Sequence, residues 1–221
     1  MSSSGLPTLS SAQVKQVDAL AAERFGIPVE WLMETAGWQI ACFVRQRAAV
    51  VCGVGNNAGD GLAAARHLDR WGRLASVSCV DKSRLKGPAA RELEALRRIG
   101  VEVGDELDIE DADVIVDAIF GTGLSRAPEG TFAEWIEAIN RSGKSVIAVD
   151  VPSGLDADSG VAYSPAVSAG ATITLGLPKP GLEKFGGRVV VADIGVPLHA
   201  YAAVGVNVPT DLFAHGDLIP L

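Results

Sequence analysis

The sequence predicts a three-layer α/β/α fold: a mostly parallel central sheet with helices on both faces, preceded by N-terminal helices. Two observations carry this. From Arg47 onward short apolar runs alternate with stretches of helical periodicity, the pattern of β-α-β units whose strands are buried on both faces. The polar, glycine-rich segments fall at the ends of those runs, where open parallel sheets keep their ligand-binding loops.

Taken in order, "SSAQVKQVDALAAERFGIPVEWLMETAGWQIACFVRQR" places Val14, Val17, Leu20 and Ala21, then Leu32, Ala36, Ile40 and Val44, at helical spacing. Two helices are predicted, broken near Gly26 and Pro28, with Ser10 or Ser11 capping the first. "AAVVCGVG" reads as a strand and "GDGLAAARHLDRWG" as a helix. The alternation continues through "LASVSCV", "GPAARELEALRRIG", "ADVIVDAIFG", "TFAEWIEAINRSG" and "SVIAVDVPSG". "GATITLGLP" and "GRVVVADIGVP" lack a long helix between them and are expected to extend the far edge of the sheet. Residues 1–46 form a helical segment packed on the domain, 47–197 the α/β core, and 198–221 a tail or linker.

The 221 residues carry a formal charge of -8, which disfavours nucleic-acid binding because phosphate neutralisation needs clustered Lys and Arg. No apolar run approaches the roughly 20 residues that span a bilayer. "MSSSGLPTLSSAQ" has no basic segment followed by an apolar core, so a secretory signal is not expected and a cytoplasmic location is. Cys42, Cys52 and Cys79 show no paired spacing and read as small buried hydrophobes. His67, His199 and His215 are scattered and are not read as metal ligands.

Three loops concentrate the polar residues. "GVGNNAGDG" fits the dinucleotide fingerprint G-x-G-x-x-G/A through Gly53, Gly55 and Ala58, with Asp81 as a possible ribose acid. Against that, a carboxylate at Asp60 in the first helical turn would repel a pyrophosphate, and Asn56, Asn57 and Asp60 also suit turn and capping chemistry. "DAIFGTGLSRAPEG" supplies Asp117 at a strand end, then Gly121, Thr122, Gly123, Ser125 and Arg126. "DVPSGLDADSG" delivers Asp150 from an apolar strand, followed by Ser153 and Asp156. A carboxylate half in the core and half in a crevice suits acid–base work; the alternative is a turn-forming Asp. Asn57, Asp117 and Ser153 together offer oxygen ligands with little charge, which points to a monovalent cation rather than calcium or magnesium.

These motifs, with "TLGLPKPGL…GGRVVVADIGVP" and the opening helices, resemble the YjeF N-terminal domain, the NAD(P)H-hydrate epimerase family, from about Ser11 to Pro197. The resemblance implies a Rossmann-like fold, often dimeric, that interconverts the R and S epimers of hydrated NADH and NADPH (NADHX and NADPHX). An ADP- or ATP-dependent NAD(P)H-hydrate dehydratase, separate or fused, then restores the cofactor. Asn56, Asn57, Ala58, Gly59 and Asp60 would bind the hydrated nucleotide, joined by Gly121, Thr122, Gly123, Leu124, Ser125, Arg126, Ala127 and Asp150. Asn57, Asp117 and Ser153 would hold potassium, and Asp150 would carry the proton. Ala58 departs from the family's "GNNGGDG", which matters only if that position needs a positive φ. Two alternatives stand beside this: a nicotinamide-dependent dehydrogenase using the glycine loop as a true fingerprint, and a non-catalytic scaffold of the same fold.

Overall fold

The computed structural model describes residues 5–221; the first four residues of the predicted N-terminal segment lie outside the described residues. Helix α1 (Ser11–Phe25) opens with a capping box. Ser10 accepts from the Gln13 N–H, and the Gln13 side chain accepts from the Ser10 N–H. It stops at Gly26, whose φ of 67° is the left-handed cap that glycine adopts most readily. Pro28 then leads into α2 (Val29–Phe43).

The alternating segments become β1 (Ala48–Cys52), α3 (Asn56–Arg70), β2 (Leu74–Cys79), α4 (Gly87–Arg98), β3 (Val114–Ala118), α5 (Thr131–Arg141) and β4 (Ser145–Val149). β5 (Ala171–Leu175) and β6 (Arg188–Ala192) extend the edge, with only a 3₁₀ turn at Pro180–Lys184 between them. The tail expected after Pro197 is instead structured. α6 (Leu198–Ala203) packs on α1, and β7 (Leu218–Pro220) pairs antiparallel with β6. The sheet order is β2-β1-β3-β4-β5-β6-β7, and the first six strands are parallel.

Alternation along the strands divides the core between two faces. Val50, Cys52 and Val116 join Ile40, Leu62 and Leu96 from α2, α3 and α4, whereas Val51 and Ile115 meet Ile136 and Ile139 of α5. Cys52 and Cys79 are buried free thiols in neighbouring strands, and Cys42 is half-buried. No helix of the described residues is long and apolar enough to cross a membrane.

Topology places the crevice. The chain runs from β1 outward to β2 and then crosses back to lay β3 on the other side of β1, so the carboxyl ends of β1 and β3 diverge at a switch point. α2 covers α3 closely at Gly37, where an added Cβ would stand 2.8 Å from the Ala63 carbonyl carbon and from the Ala64 nitrogen. Since the obstacle is backbone, Gly37→Ala should cost about 1–3 kcal/mol. A lowered urea midpoint at constant slope is the expected result, and an unchanged midpoint would show that the two helices are not locked there.

Candidate active site

A cavity of about 380 Å³ opens at the carboxyl ends of the central strands, and Asp18, Asn57, Asp60, Gly121, Asp150 and Lys179 line it. Two loops make its narrow side. A Cβ on Gly53 would collide with the Ile119 carbonyl, so only glycine lets the loop after β1 lie against the loop after β3. α3 begins directly after this contact, with Gly55 as its N-cap and no side-chain cap. The capping reading of the Asn pair is therefore corrected: Asn56 and Asn57 are the first residues of the helix, and both face the cavity.

Asp60 is corrected too. The helix starts four residues before it, so it lies beyond the first turn. Burial, and then the neighbouring carboxylates of Asp150 and Asp18, push its carboxyl well above the usual range. That favours the neutral acid, which donates a hydrogen bond and does not repel an anion. Ala58 sits in ordinary helical backbone, because Asp150 is the one non-glycine residue with positive φ among the described residues. Its methyl is fully buried in the main core, and neither it nor Gly59, packed on Met33, lines the cavity.

Beneath the cavity, Asp117 and Ser153 are fully buried. Asp117 accepts from the Ser153 hydroxyl at 2.6 Å, from the Ser153 N–H at 2.9 Å and from the Ile119 N–H at 3.2 Å. Burial raises this carboxyl to about 6, against those hydrogen bonds, which pull it down. All its partners are neutral donors, so the buried charge lacks a counter-ion. The Asn57 side-chain nitrogen, also buried, has no hydrogen-bond partner among the described residues, and the amide lies against Gly121. Oxygen donors bearing one formal negative charge fit a monovalent cation. Asn57, Asp117 and Ser153 could hold one.

Asp150 follows the last residue of β4, and its N–H still bonds to the Ile173 carbonyl at 2.8 Å, as the sheet ladder requires. Its φ is 67°, a left-handed conformation that few non-glycine residues adopt and that aspartate tolerates better than most. The turn aims the carboxylate at Lys179. The Lys179 ammonium, 1% exposed, pairs with Asp150 Oδ1 and donates to the Leu175 carbonyl at 2.8 Å and to Thr174 Oγ1 at 3.2 Å. The Leu175 N–H donates to the same Oδ1 at 3.2 Å. Among the described residues, every side-chain hydrogen bond that Asp150 accepts ends on Oδ1, which leaves Oδ2 for a ligand.

The structure thus brings together Asn56, Asn57, Asp60, Gly121, Thr122, Gly123, Leu124 and Asp150 around one cavity. Ser125, Arg126 and Ala127 lie outside its lining, the first two exposed. Asp81, the possible ribose acid, caps the next 3₁₀ turn through Ser83 instead of facing the cavity. Asp156 closes a turn with Ser159, whose N–H and hydroxyl hold its carboxyl below the usual range. Lys179 and Asp18 escaped the reading of the loops. The signals were a lysine between two prolines after an apolar strand, and an aspartate among Val14, Val17 and Ala21 on one helical stripe.

A parallel α/β/α sheet with a glycine-lined crevice at its switch point, and an aspartate–lysine pair on the crevice wall, defines a Rossmann-like protein with a charged pocket. The solved crystal structure of the yeast protein YNL200c has this fold, with a TM-score of 0.82 over 98% of this chain and 100% of the other at 24% identity. Residues 29–181 match the family model described as YjeF-related protein N-terminus, and the chain belongs to that family. The NAD(P)H-hydrate epimerase of Rhodopirellula baltica is 35% identical over 87% of this chain and 86% of its own length. The bifunctional NAD(P)H-hydrate repair enzyme Nnr of Thermofilum pendens is 43% identical over 84% of this chain. The chain spans only about two fifths of the length of such bifunctional relatives.

Removing one member of a buried ion pair strands the other, at a cost of about 3–5 kcal/mol. Lys179→Met should show a loss of that order in urea denaturation, and adding Asp150→Asn to it should recover much of it. A double variant no more stable than Lys179→Met would contradict the pairing.

Proposed function

We propose that this chain is an NAD(P)H-hydrate epimerase, an isomerase that interconverts the R and S epimers of hydrated NADH and NADPH. The observation that carries the reading is the Asp150–Lys179 pair on the crevice wall, in a chain aligned along most of the Rhodopirellula baltica epimerase. The substrate bears a hydroxyl on the ring carbon beside the ring nitrogen, and inversion there breaks and remakes one bond. Protonating the departing oxygen and recovering that proton afterwards requires a group that exchanges protons at the carbon. Asp150 Oδ2, free of other partners, is that group, and Lys179 fixes the carboxylate through Oδ1.

The rest of the cavity binds and orients. The N–H groups of Asn56 and Asn57 stand at the uncapped N-terminus of α3, where the helix dipole favours an anionic group. The glycines of the loop after β3 admit close approach of the nucleotide, and the exposed Arg126 of the same loop would pair with a phosphate that extends beyond the cavity lining. Asn57, Asp117 and Ser153 would hold a potassium ion, which when bound neutralises the buried Asp117 charge and stiffens the floor beneath the nucleotide. The same reading makes the chain a cytoplasmic homodimer that works alongside an NAD(P)H-hydrate dehydratase.

Asp150→Asn should still bind hydrated nucleotide but lower epimer interconversion by roughly 100-fold or more. Conversion of the pure R form, followed chromatographically, is the measurement, and a rate equal to that of the unaltered chain would remove Asp150 from the chemistry. Potassium should raise the melting temperature relative to tetramethylammonium at equal ionic strength, and Asp117→Asn should abolish the difference. An equal rise in that variant would place the ion elsewhere.

A further inference from the structure

We propose that Asp18, on the N-terminal helix α1, is a second proton-transfer residue of this site and works opposite the Asp150–Lys179 pair. The inference rests on the epimerase reading and deepens it. Asp18 lies before the residues matched by the family model, and the sequence places it in the apolar stripe with Val14, Val17 and Ala21, where a charged group is out of place unless it has work to do. The structure turns that stripe toward the sheet: Val17 is buried, while Asp18 is half-buried and lines the same cavity as Asp150 and Lys179. Among the described residues its carboxylate has no hydrogen-bond or ion-pair partner.

Its surroundings tune it. Burial, and then the Asp150 charge, raise the carboxyl to about 6, against Lys179, which lowers it. Asp60 on α3 and Tyr201 on α6 also face it, both pushed upward chiefly by their own burial, and Lys15 of α1 lines the same cavity. Three carboxylates thus share one close ammonium. Lys179 pairs with Asp150, and Asp60 favours its neutral form, which leaves Asp18 to take or release a proton near neutrality.

The step balances without a redox partner. In one direction a proton held by the Asp150–Lys179 pair passes to the ring hydroxyl. The carbon–oxygen bond breaks with its electron pair on the departing water, and the ring nitrogen lone pair forms a carbon–nitrogen double bond. Water adds to the opposite face, that double bond returns its pair to nitrogen, and Asp18 accepts the proton that the new hydroxyl loses. The reverse direction exchanges the roles. In the forward direction Asp18 must be ionised to accept the proton, so its protonation as the pH drops through about 6 blocks the step.

The test follows kcat/KM for epimer conversion from pH 5 to 8, with binding of hydrated nucleotide by calorimetry and folding by circular dichroism. The unaltered chain should lose activity below about pH 6. Asp18→Asn should bind nucleotide with little change, lose roughly 100-fold or more in rate and no longer show that acid limb. Asp18→Glu should recover part of the rate and show the limb again. A folded Asp18→Asn protein with undiminished rate and the same acid limb would overturn the role of Asp18 while leaving the epimerase reading intact. Parallel loss of binding and folding, with no recovery in Asp18→Glu, would also overturn it by making the residue structural. No turnover by the unaltered chain would overturn the epimerase reading itself.

Discussion

The ion pair between Lys179 and Asp150 is the constraint on which the site depends. It ties the end of β4 to the connection between β5 and β6, alongside the packing of Val151 and Leu155 on Leu182. A lysine that is 1% exposed would not stay charged in the core without a carboxylate and carbonyl partners, and Asp150, Leu175 and Thr174 supply them. Asp150 itself sits in a left-handed backbone conformation, which aspartate tolerates better than most side chains.

The acids divide into two sets around this pair. Asp18, Asp60 and Asp150 share the cavity, and burial together with the Asp150 charge raises the proton affinity of Asp18 and Asp60. Asp117 belongs to the layer below. It is enclosed with Ser153 and Asn57, is satisfied only by neutral donors, and shapes the floor without reaching the ligand space. One set faces the ligand space, the other holds the floor. The glycines at Gly53 and Gly121 let the loop after β3 lie against the loop after β1 and the start of α3.

Much of the architecture was legible because burial on both faces leaves a continuous apolar run, and β1, β3 and β4 are runs of that kind. β7 was not. Three residues ending in proline on the sheet's outer edge carry no periodicity, and their pairing with β6 is a long-range choice. At the site, loops after strands could be located from glycines and acids, and Asn57, Asp60, Gly121 and Asp150 came with them. Where α3 begins could not be read, since Asn suits a cap as well as a first turn, and this displaced Asp60 by a turn. Lys179 and Asp18 were hidden for a common reason. Each lies outside the glycine-rich loops, and only the folded chain shows that an apolar helical stripe and a proline-bounded segment meet over the end of β4.

The ammonium of Lys179 offers the most direct test. With its three donors engaged and solvent excluded, its ¹⁵Nζ resonance should appear at neutral pH as a protonated, slowly exchanging signal in heteronuclear NMR. It should vanish or shift to fast exchange in Asp150→Asn. A Lys179 signal that exchanges as rapidly as those of surface lysines in the unaltered chain would contradict the pair, and with it the account of how Asp150 is aimed.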